Sequence, residues 1–417
     1  MLPGAPSDDA VQPSHPGSGL AVTESLETPL AATREEEKPA GELLPRRDYV
    51  ILPLLSLLTI IVLFAAAEVI ARKTWSAAEK GYCTDQDPIA GPHGRPNCTA
   101  MMKVPESQWV TETYNNCGYR TPAPCGPKPP GTERIAVLGS SIAEGYLVPI
   151  QDTFPARAAK ALAEACRHPV EFQNLGAEGA APIYSYRRLE EALALKPDIV
   201  IMAINPWDVE QQIDPKLMAM RGDRRSIDHA PTLIIRLSFL QRLQARFRDS
   251  RTLLVAQHYI LQNRDVFLNL YLHGGDHTAF VKVPFTPAWE KRFLDVDVLL
   301  REMAARIHEA GLPFLLLAVP ERAQVAMLNA PNLPAGVDPD AFGRRLAQMA
   351  ARYGILYVDG LKALAHVHDV ESLFFVVDGH PTAKAHALLG EAIARKLIAA
   401  SATPFSGCHA LTTSQLH

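Results

Sequence analysis

Apolar and polar positions follow three different patterns along the 417-residue chain. Over the first 48 residues there is no apolar period and no aromatic side chain, only a mixture rich in Pro, Gly, Ser, Glu and Ala. Such a stretch buries too little apolar surface to offset the entropy of ordering it, which predicts a disordered polar tail over 1–48. From Tyr49 to Ala67 the charge disappears: "YVILPLLSLLTIIVLFAAA". As a helix this run spans roughly 29 Å at 1.5 Å per residue, the thickness of a bilayer core. A transmembrane helix is therefore expected over 49–71, with Pro53 in its first turn, where a missing N–H costs little. The competing assignments are a buried core helix and a cleaved signal peptide, and the second would need a far shorter leading segment. Arg46 and Arg47 before the run balance Arg72 and Lys73 after it, so the flanking charges set no orientation.

From residue 133 onward apolar runs of strand length alternate with runs of helical period. The strands are "RIAVLG", "VEFQNLG", "PDIVIMAIN", "PFLLLAVP" and "ILYVD"; between and after them stand "TFPARAAKALAEAC", "SYRRLEEALALK", "FLDVDVLLREMAARIHEAG", "PDAFGRRLAQMAARYG" and "AKAHALLGEAIARKLIAA". Near-continuous apolar strands are buried on both faces, and strand–helix alternation implies a parallel sheet. This predicts an α/β domain of three layers over 132–400 with about five parallel strands. Residues 209–290 interrupt the alternation with helical pieces and no clear strand, as an insertion or cap near the site, and 401–417 read as a C-terminal tail.

Composition adds two constraints. A hydrophobic content of 47% supports a real core, and a net charge of −4 without a basic stripe argues against nucleic acid as a partner. Four of the six cysteines, Cys83, Cys98, Cys117 and Cys125, fall within 72–131, a segment rich in Pro, Gly and Asn. An even, tight set in a loop-rich stretch suggests two disulfides and an oxidising compartment. Spacing leaves all three connectivities open; a zinc site is the alternative, though no CxxC pair is present. Cys166 sits in a helical pattern and is expected in the core. Asn97-Cys98-Thr99 fits the short N-glycosylation pattern.

In open parallel sheets, ligands bind beyond the carboxyl ends of the strands. The segments at those ends are, in chain order, Gly139-Ser140-Ser141, "NLGAEG", "NPWD" with Asn205, Trp207 and Asp208, Glu321-Arg322, and "VVDGHPTAKAH" with Asp378 and His380. Ser141 would stand at a strand-to-helix turn beside unpaired backbone N–H groups that can hold an oxyanion. Serine attacks only if its proton is removed. His380 can take that proton, and Asp378 can orient and stabilise the imidazole. The bland alternatives are a helix cap for Ser141 or Asp378, a turn for Gly176, a solvated pair for Glu321 and Arg322, and a packing role for His386.

These blocks, over about 132–400, resemble the SGNH (GDSL-type) hydrolase family. The resemblance implies a flavodoxin-like fold and a metal-free, cofactor-free attack on esters. It makes Ser141 the nucleophile, with His380 and Asp378 completing the set, and the backbone of Ser141 and Gly176 part of an oxyanion site. Two positions depart from the pattern. Ser140 replaces the usual Asp, and Trp207 stands where the third block's Asn should be; Asn205, two residues upstream on an extended segment, is the candidate replacement donor. The layout also resembles bacterial proteins in which a membrane anchor precedes such a domain. The expectation is therefore a single-pass membrane serine esterase, acyl hydrolase or O-acyl transferase. Its domain would lie outside the cytoplasm and act on an ester such as an acylated glycan or a lipid. The alternative is a degenerate domain that binds such a molecule without turning it over. Substrate identity, the choice between hydrolysis and transfer, and oligomeric state are not legible at this level.

Overall fold

The computed structural model describes residues 45–211 and 249–409. The polar tail expected over 1–48, but for its last residues, therefore lies outside the described residues, as does the middle of the 209–290 insertion. The chain divides into two compact units, 1–60 and 61–417, and the division falls inside the first helix.

That helix, α1, runs Asp48–Thr74. Among the described residues it is the one helix long and apolar enough to cross a membrane; its most apolar stretch has a mean hydropathy of 2.8 and none of it is buried. Because α1 begins at Asp48, Pro53 falls in the second turn rather than the first. Near its end, the Glu68 carboxylate accepts hydrogen bonds from Ser250 Oγ at 2.8 Å and from the N–H groups of Arg251 and Thr252 at 3.1 and 2.9 Å. A distant acidic side chain thus satisfies the first donors of the helix Arg251–Leu261.

The segment expected to be mostly loop carries regular structure. Strands β1 (Ala78–Lys80), β4 (Thr99–Lys103) and β5 (Val110–Thr113) form an antiparallel sheet in the order β1-β4-β5, and β2 (Thr84–Asp87) pairs with β3 (Gly91–Gly94). Cys83 bonds Cys98 and Cys117 bonds Cys125, with Cα separations of 5.6 and 5.7 Å. Cys166 departs from expectation: it is not a core thiol but bonds Cys408, 242 residues away. This bond, with the fully buried Phe405 and the buried Thr403, holds residues 401–409 against the domain, where a tail was expected.

The main sheet consists of β6 (Glu133–Leu138), β7 (Val170–Asn174), β8 (Ile199–Ile204), β9 (Phe314–Ala318) and β10 (Leu356–Asp359). Its order is β10-β9-β8-β6-β7 and every neighbouring pair is parallel. Every residue of β8 and β9 is buried, which explains why these strands show no polar alternation. The order is flavodoxin-like: the chain moves outward from β6 to β7, then returns to place β8 on the other side of β6. A crevice opens at such a reversal, beyond the carboxyl ends of β6 and β8. Helix α2 (Ser141–Glu144) and the helix Pro206–Glu210 start there. The described part of the insertion is helical, with Arg251–Leu261, Arg264–Leu272 and a 3-10 turn over Gly275–Val281.

Candidate active site

Strand β6 ends in a turn that only glycine permits. Gly139 has φ +149°, and a Cβ there would come within 2.7 Å of Ala143 Cβ and 2.9 Å of the Ala203 carbonyl oxygen. Ser140 is extended and Ser141 opens α2, a single turn closed by Gly145 in the left-handed region at φ +87°. The Gly145 N–H caps Ser141 O. So short a helix leaves the Ser141 N–H without an intrahelical partner.

Ser141 Oγ lies 2.8 Å from His380 Nε2, and His380 Nδ1 lies 2.7 Å from Asp378 Oδ1. A carboxylate can only accept, so Nδ1–H donates to Asp378 and Nε2 accepts from the serine hydroxyl. The loop carrying the pair is tight. Gly379 turns at φ +85°, its N–H reaches Phe375 O at 2.9 Å, and Phe375 N–H reaches His380 O at 3.0 Å. His386 packs elsewhere: it is 1% exposed, stacks on Phe154 and accepts from Phe154 N–H at 3.1 Å. Burial holds its pKa down at about 3.

Asn205 stands at the end of β8 and caps the helix Pro206–Glu210. Its Oδ1 accepts from Asp208 N–H at 2.8 Å, while Asp208 Oδ2 accepts from Asn205 N–H at 3.0 Å. The amide is 5% exposed and lines the same pocket as Ser141 and His380. With its carbonyl committed to the cap, the two Nδ2 hydrogens are the donors it has left, and no acceptor holds them among the described residues. Burial raises the Asp208 carboxyl to about 7, opposed by hydrogen bonds from Ser140 and the Asn205 backbone and by the charge of His380. Ser140, in the place of the family's Asp, is thus a partner of this cap. Trp207 is 63% exposed, and its polar contact is to Glu321.

The second block holds a correction. Gly176 N–H is taken by Asn174 Oδ1 at 3.1 Å, so it is not available to an oxyanion. Gly176 is required for a different reason: a Cβ there would come within 2.6 Å of Glu144 N and 2.8 Å of Ala143 Cβ, so it lets this loop pack against α2. The glycine that lines the pocket is Gly179, at φ +73°, with open space where a side chain would point and no acceptor for its N–H among the described residues. The doubled glycine of "NLGAEG" is the signal in the sequence, and the second member, not the first, is the one that meets the pocket.

The pocket is a cavity of about 340 Å³. Ser141, Asn205 and His380 line it together with the largely apolar Leu261, Phe267, Tyr271, Pro320 and Val376. Glu321 and Arg322, for which a solvated pair was the bland alternative, are instead part of it. Burial pushes the Glu321 carboxyl up to about 8, against hydrogen bonds from Tyr271 and Trp207. Arg322 is 4% exposed, stacks over Phe267 and donates to the carbonyls of Val376 and Leu261 at 3.0 and 2.6 Å. Among the described residues no group of His, Cys, Asp and Glu is arranged to hold a metal ion.

Several solved structures are similar to this chain. An α/β hydrolase from the metagenome of Lake Arreo, Spain, is 17% identical over 63% of this chain and 94% of its own, with a TM-score of 0.36. A catalytic mutant of Axe2, an acetylxylan esterase from Geobacillus stearothermophilus, is 16% identical over 65% and 96%, with a TM-score of 0.37. A lipase/acylhydrolase from Enterococcus faecalis is 14% identical over 64% and 95%, with a TM-score of 0.36. No curated protein matches. The GDSL-like lipase/acylhydrolase family model matches residues 137–388, more than half of the chain and the whole interval from the end of β6 past His380. The chain therefore belongs to the GDSL-like lipase/acylhydrolase family.

Proposed function

We propose that this protein is a membrane-anchored serine esterase whose domain lies outside the cytoplasm, with Ser141 as nucleophile, His380 as general base and acid, and Asp378 as the group that orients the imidazole. The observation that carries the reading is the unbroken chain Ser141 Oγ–His380 Nε2 and His380 Nδ1–Asp378 Oδ1, at 2.8 and 2.7 Å, between residues 239 apart in sequence. Nothing in a helix cap needs that chain; a nucleophilic serine does.

Ser141 Oγ forms a bond to the ester carbonyl carbon as its proton passes to Nε2. The tetrahedral oxyanion is held by the N–H groups of Ser141 and Gly179 and by Asn205 Nδ2. Its collapse breaks the bond to the alkoxy oxygen, which leaves as the alcohol with the proton from His380. Water then repeats the sequence on the acyl-serine and releases the carboxylic acid. An acceptor alcohol in place of water would give acyl transfer by the same steps.

The reading of a binding domain without turnover rested on Trp207 in the place of the third-block Asn. An exposed indole turned to Glu321 and an Asn205 amide in the pocket favour the catalytic reading over it. Anchoring is supported by the exposed apolar surface of α1. The extracytoplasmic location is supported by three disulfides and no free cysteine among the described residues, which suits an oxidising compartment. Labelling of the full-length protein by a fluorophosphonate tests the assignment. A covalent adduct mapped to Ser141 is expected, and an unreactive Ser141 in folded protein would refute it.

A further inference from the structure

Between β4 and β5 the chain turns through Val104-Pro105-Glu106-Ser107. Proline at the second position presets its backbone angle for a turn. Ser107 closes the turn: its N–H donates to Val104 O at 3.0 Å, and its Oγ accepts from Val104 N–H at 3.0 Å. The turn carries Glu106 at its tip, 271 and 272 residues from the backbone groups it meets. Glu106 Oε2 accepts from the N–H groups of Val377 and Asp378, both at 2.9 Å, and Oε1 accepts from Val377 N–H at 3.1 Å and lies 2.5 Å from His258 Nδ1. The side chain is only 4% exposed.

We infer that Glu106 is a positioning residue for the reaction: it fixes the backbone from which Asp378 holds His380. The inference rests on the reading of Ser141, His380 and Asp378 as the reacting set. Its physical basis is the peptide unit between Val376 and Val377. The carbonyl of that unit is held by Arg322 at 3.0 Å and its N–H by Glu106, so a buried cation and a buried anion fix the plane from opposite sides. The next N–H, that of Asp378 itself, is held by the same carboxylate. Asp378 Oδ1 in turn accepts from His380 Nδ1 and, at 3.2 Å, from His380 N–H. Charge-assisted hydrogen bonds to backbone N–H groups are short and about twice as strong as neutral ones. A carboxylate aimed at two consecutive N–H groups therefore allows the Asp378 backbone little rotation. Gly379 comes next, at φ +85°, with open space where a side chain would point. Without Glu106, the N–H groups of Val377 and Asp378 lose their acceptor, and Arg322 alone holds this peptide unit from the carbonyl side. His258 holds the carboxylate in place from the helix Arg251–Leu261, and its ring packs edge-on against Trp75 at 4.8 Å.

The test uses full-length protein in detergent, a fluorophosphonate probe and a simple aryl ester. Two labelling quantities are separated: the fraction of molecules labelled at completion and the rate constant of labelling. Glu106→Gln keeps the shape but places an N–H₂ group against backbone donors. It should label to completion with a rate constant lowered about 10- to 100-fold, with kcat lowered in parallel and KM within about twofold. Glu106→Asp keeps the charge on a shorter stem and should recover part of the loss. Ser107→Ala leaves Glu106 but opens its turn, and should fall less in the same direction. A labelling rate at the wild-type value in Glu106→Gln and Ser107→Ala overturns the inference. So does a lowered labelled fraction with an unchanged rate, which is the mark of a purely structural role. Ser141→Ala is run alongside. If it still labels at the site, the nucleophile assignment fails and this inference with it; if it is inert while Glu106→Gln is normal, only the role of Glu106 is lost.

Discussion

Replacing Asn205 separates two jobs held by one amide. Its Oδ1 caps the helix Pro206–Glu210 through Asp208 N–H at 2.8 Å, and in the proposed mechanism its Nδ2 faces the developing oxyanion. Serine caps helices as well as asparagine does, but its single hydroxyl hydrogen sits on a shorter side chain. Asn205→Ser should therefore keep the fold within about 0.5 kcal/mol while removing the donor. Loss of one oxyanion donor costs about 2.7–4 kcal/mol of transition-state stabilisation, a fall of about 10²–10³ in kcat. Because the oxyanion exists only after attack, KM should stay nearly constant. Asn205→Ala loses the cap as well. It should show the same fall in kcat, a further loss of about 1 kcal/mol of stability from the orphaned donor, and a thermal midpoint lower by about 2–4 °C in a domain of this size.

The assay is steady-state hydrolysis of an aryl ester, normalised to the serine that a fluorophosphonate can titrate, with melting followed in parallel. The contrast between the two variants carries the information: equal kinetic loss and unequal stability loss. If Asn205→Ser retains kcat within about threefold, Asn205 is a cap and nothing more, and the oxyanion is held by backbone alone. If Trp207→Phe cripples the enzyme while Asn205→Ser does not, the indole is the donor and the role given to Asn205 is wrong.

Ser141→Ala should abolish hydrolysis and fluorophosphonate labelling together, with little change in melting; hydrolysis that persists would sink the assignment. The Glu321 carboxyl is raised by burial to about 8, so folding favours its protonated form. The stability this lends is full below the ordinary carboxylate range and is lost as pH climbs through about 8. Glu321→Gln should therefore gain on the wild type in thermal midpoint between pH 5 and pH 8, and a constant difference across that range would contradict the burial argument. Mass mapping without reduction should recover the pairs Cys83–Cys98, Cys117–Cys125 and Cys166–Cys408. Cys166→Ser, which frees residues 401–409, should cost about 2–4 kcal/mol in a chemical unfolding curve.

The five strands of the main sheet were legible because burial on both faces leaves nothing polar in them, and the parallel order came from their alternation with helices. Ser141 was legible as a candidate because it stands where β6 has just ended, and Asp378 and His380 because an aspartate and a histidine two residues apart stand just before the last helix, well past the end of β10. What was not legible depends on distance or on backbone angle. Cys166 occupies one position of an amphipathic helix, and no local spacing announces a partner at Cys408. Gly176 and Gly179 look alike in sequence; one is needed for close contact with Ala143 and Glu144, the other turns toward the pocket. Trp207 drew attention because it precedes an aspartate. The residue that leaves β8 into the crevice is Asn205, and the next helix carries the indole outward. Glu321 and Arg322 looked solvated because charge usually is. Their burial comes from Tyr271, Phe267 and Leu261, supplied by an insertion whose position could not be read from its own residues.

Side chains of the cysteine-rich segment over 72–131 reach the domain over 132–400 close to both Ser141 and His380. Arg120 is completely buried and donates to the carbonyls of Glu144 and Val148 at 3.0 and 2.8 Å, just past the nucleophile turn. Tyr114 donates to Glu144 Oε1 at 2.6 Å; burial raises that carboxyl to about 8, with Glu112 adding to the shift and Arg120 opposing it. Glu106 grips the opposite side, at Val377 and Asp378. A buried carbonyl or N–H stripped of its partner costs about 1–3 kcal/mol, and several would be stripped at once if 132–400 stood alone. A domain stable by about 5–15 kcal/mol does not absorb such a loss easily. The Cys83–Cys98 bond lies among the small strands and the Cys117–Cys125 bond follows them, on either side of Tyr114, and this segment meets both the turn that carries Ser141 and the loop that carries His380. The sheet places Ser141 and Asn205 at one crevice, and on the proposed reading the disulfide-linked segment keeps Ser141 in register with His380.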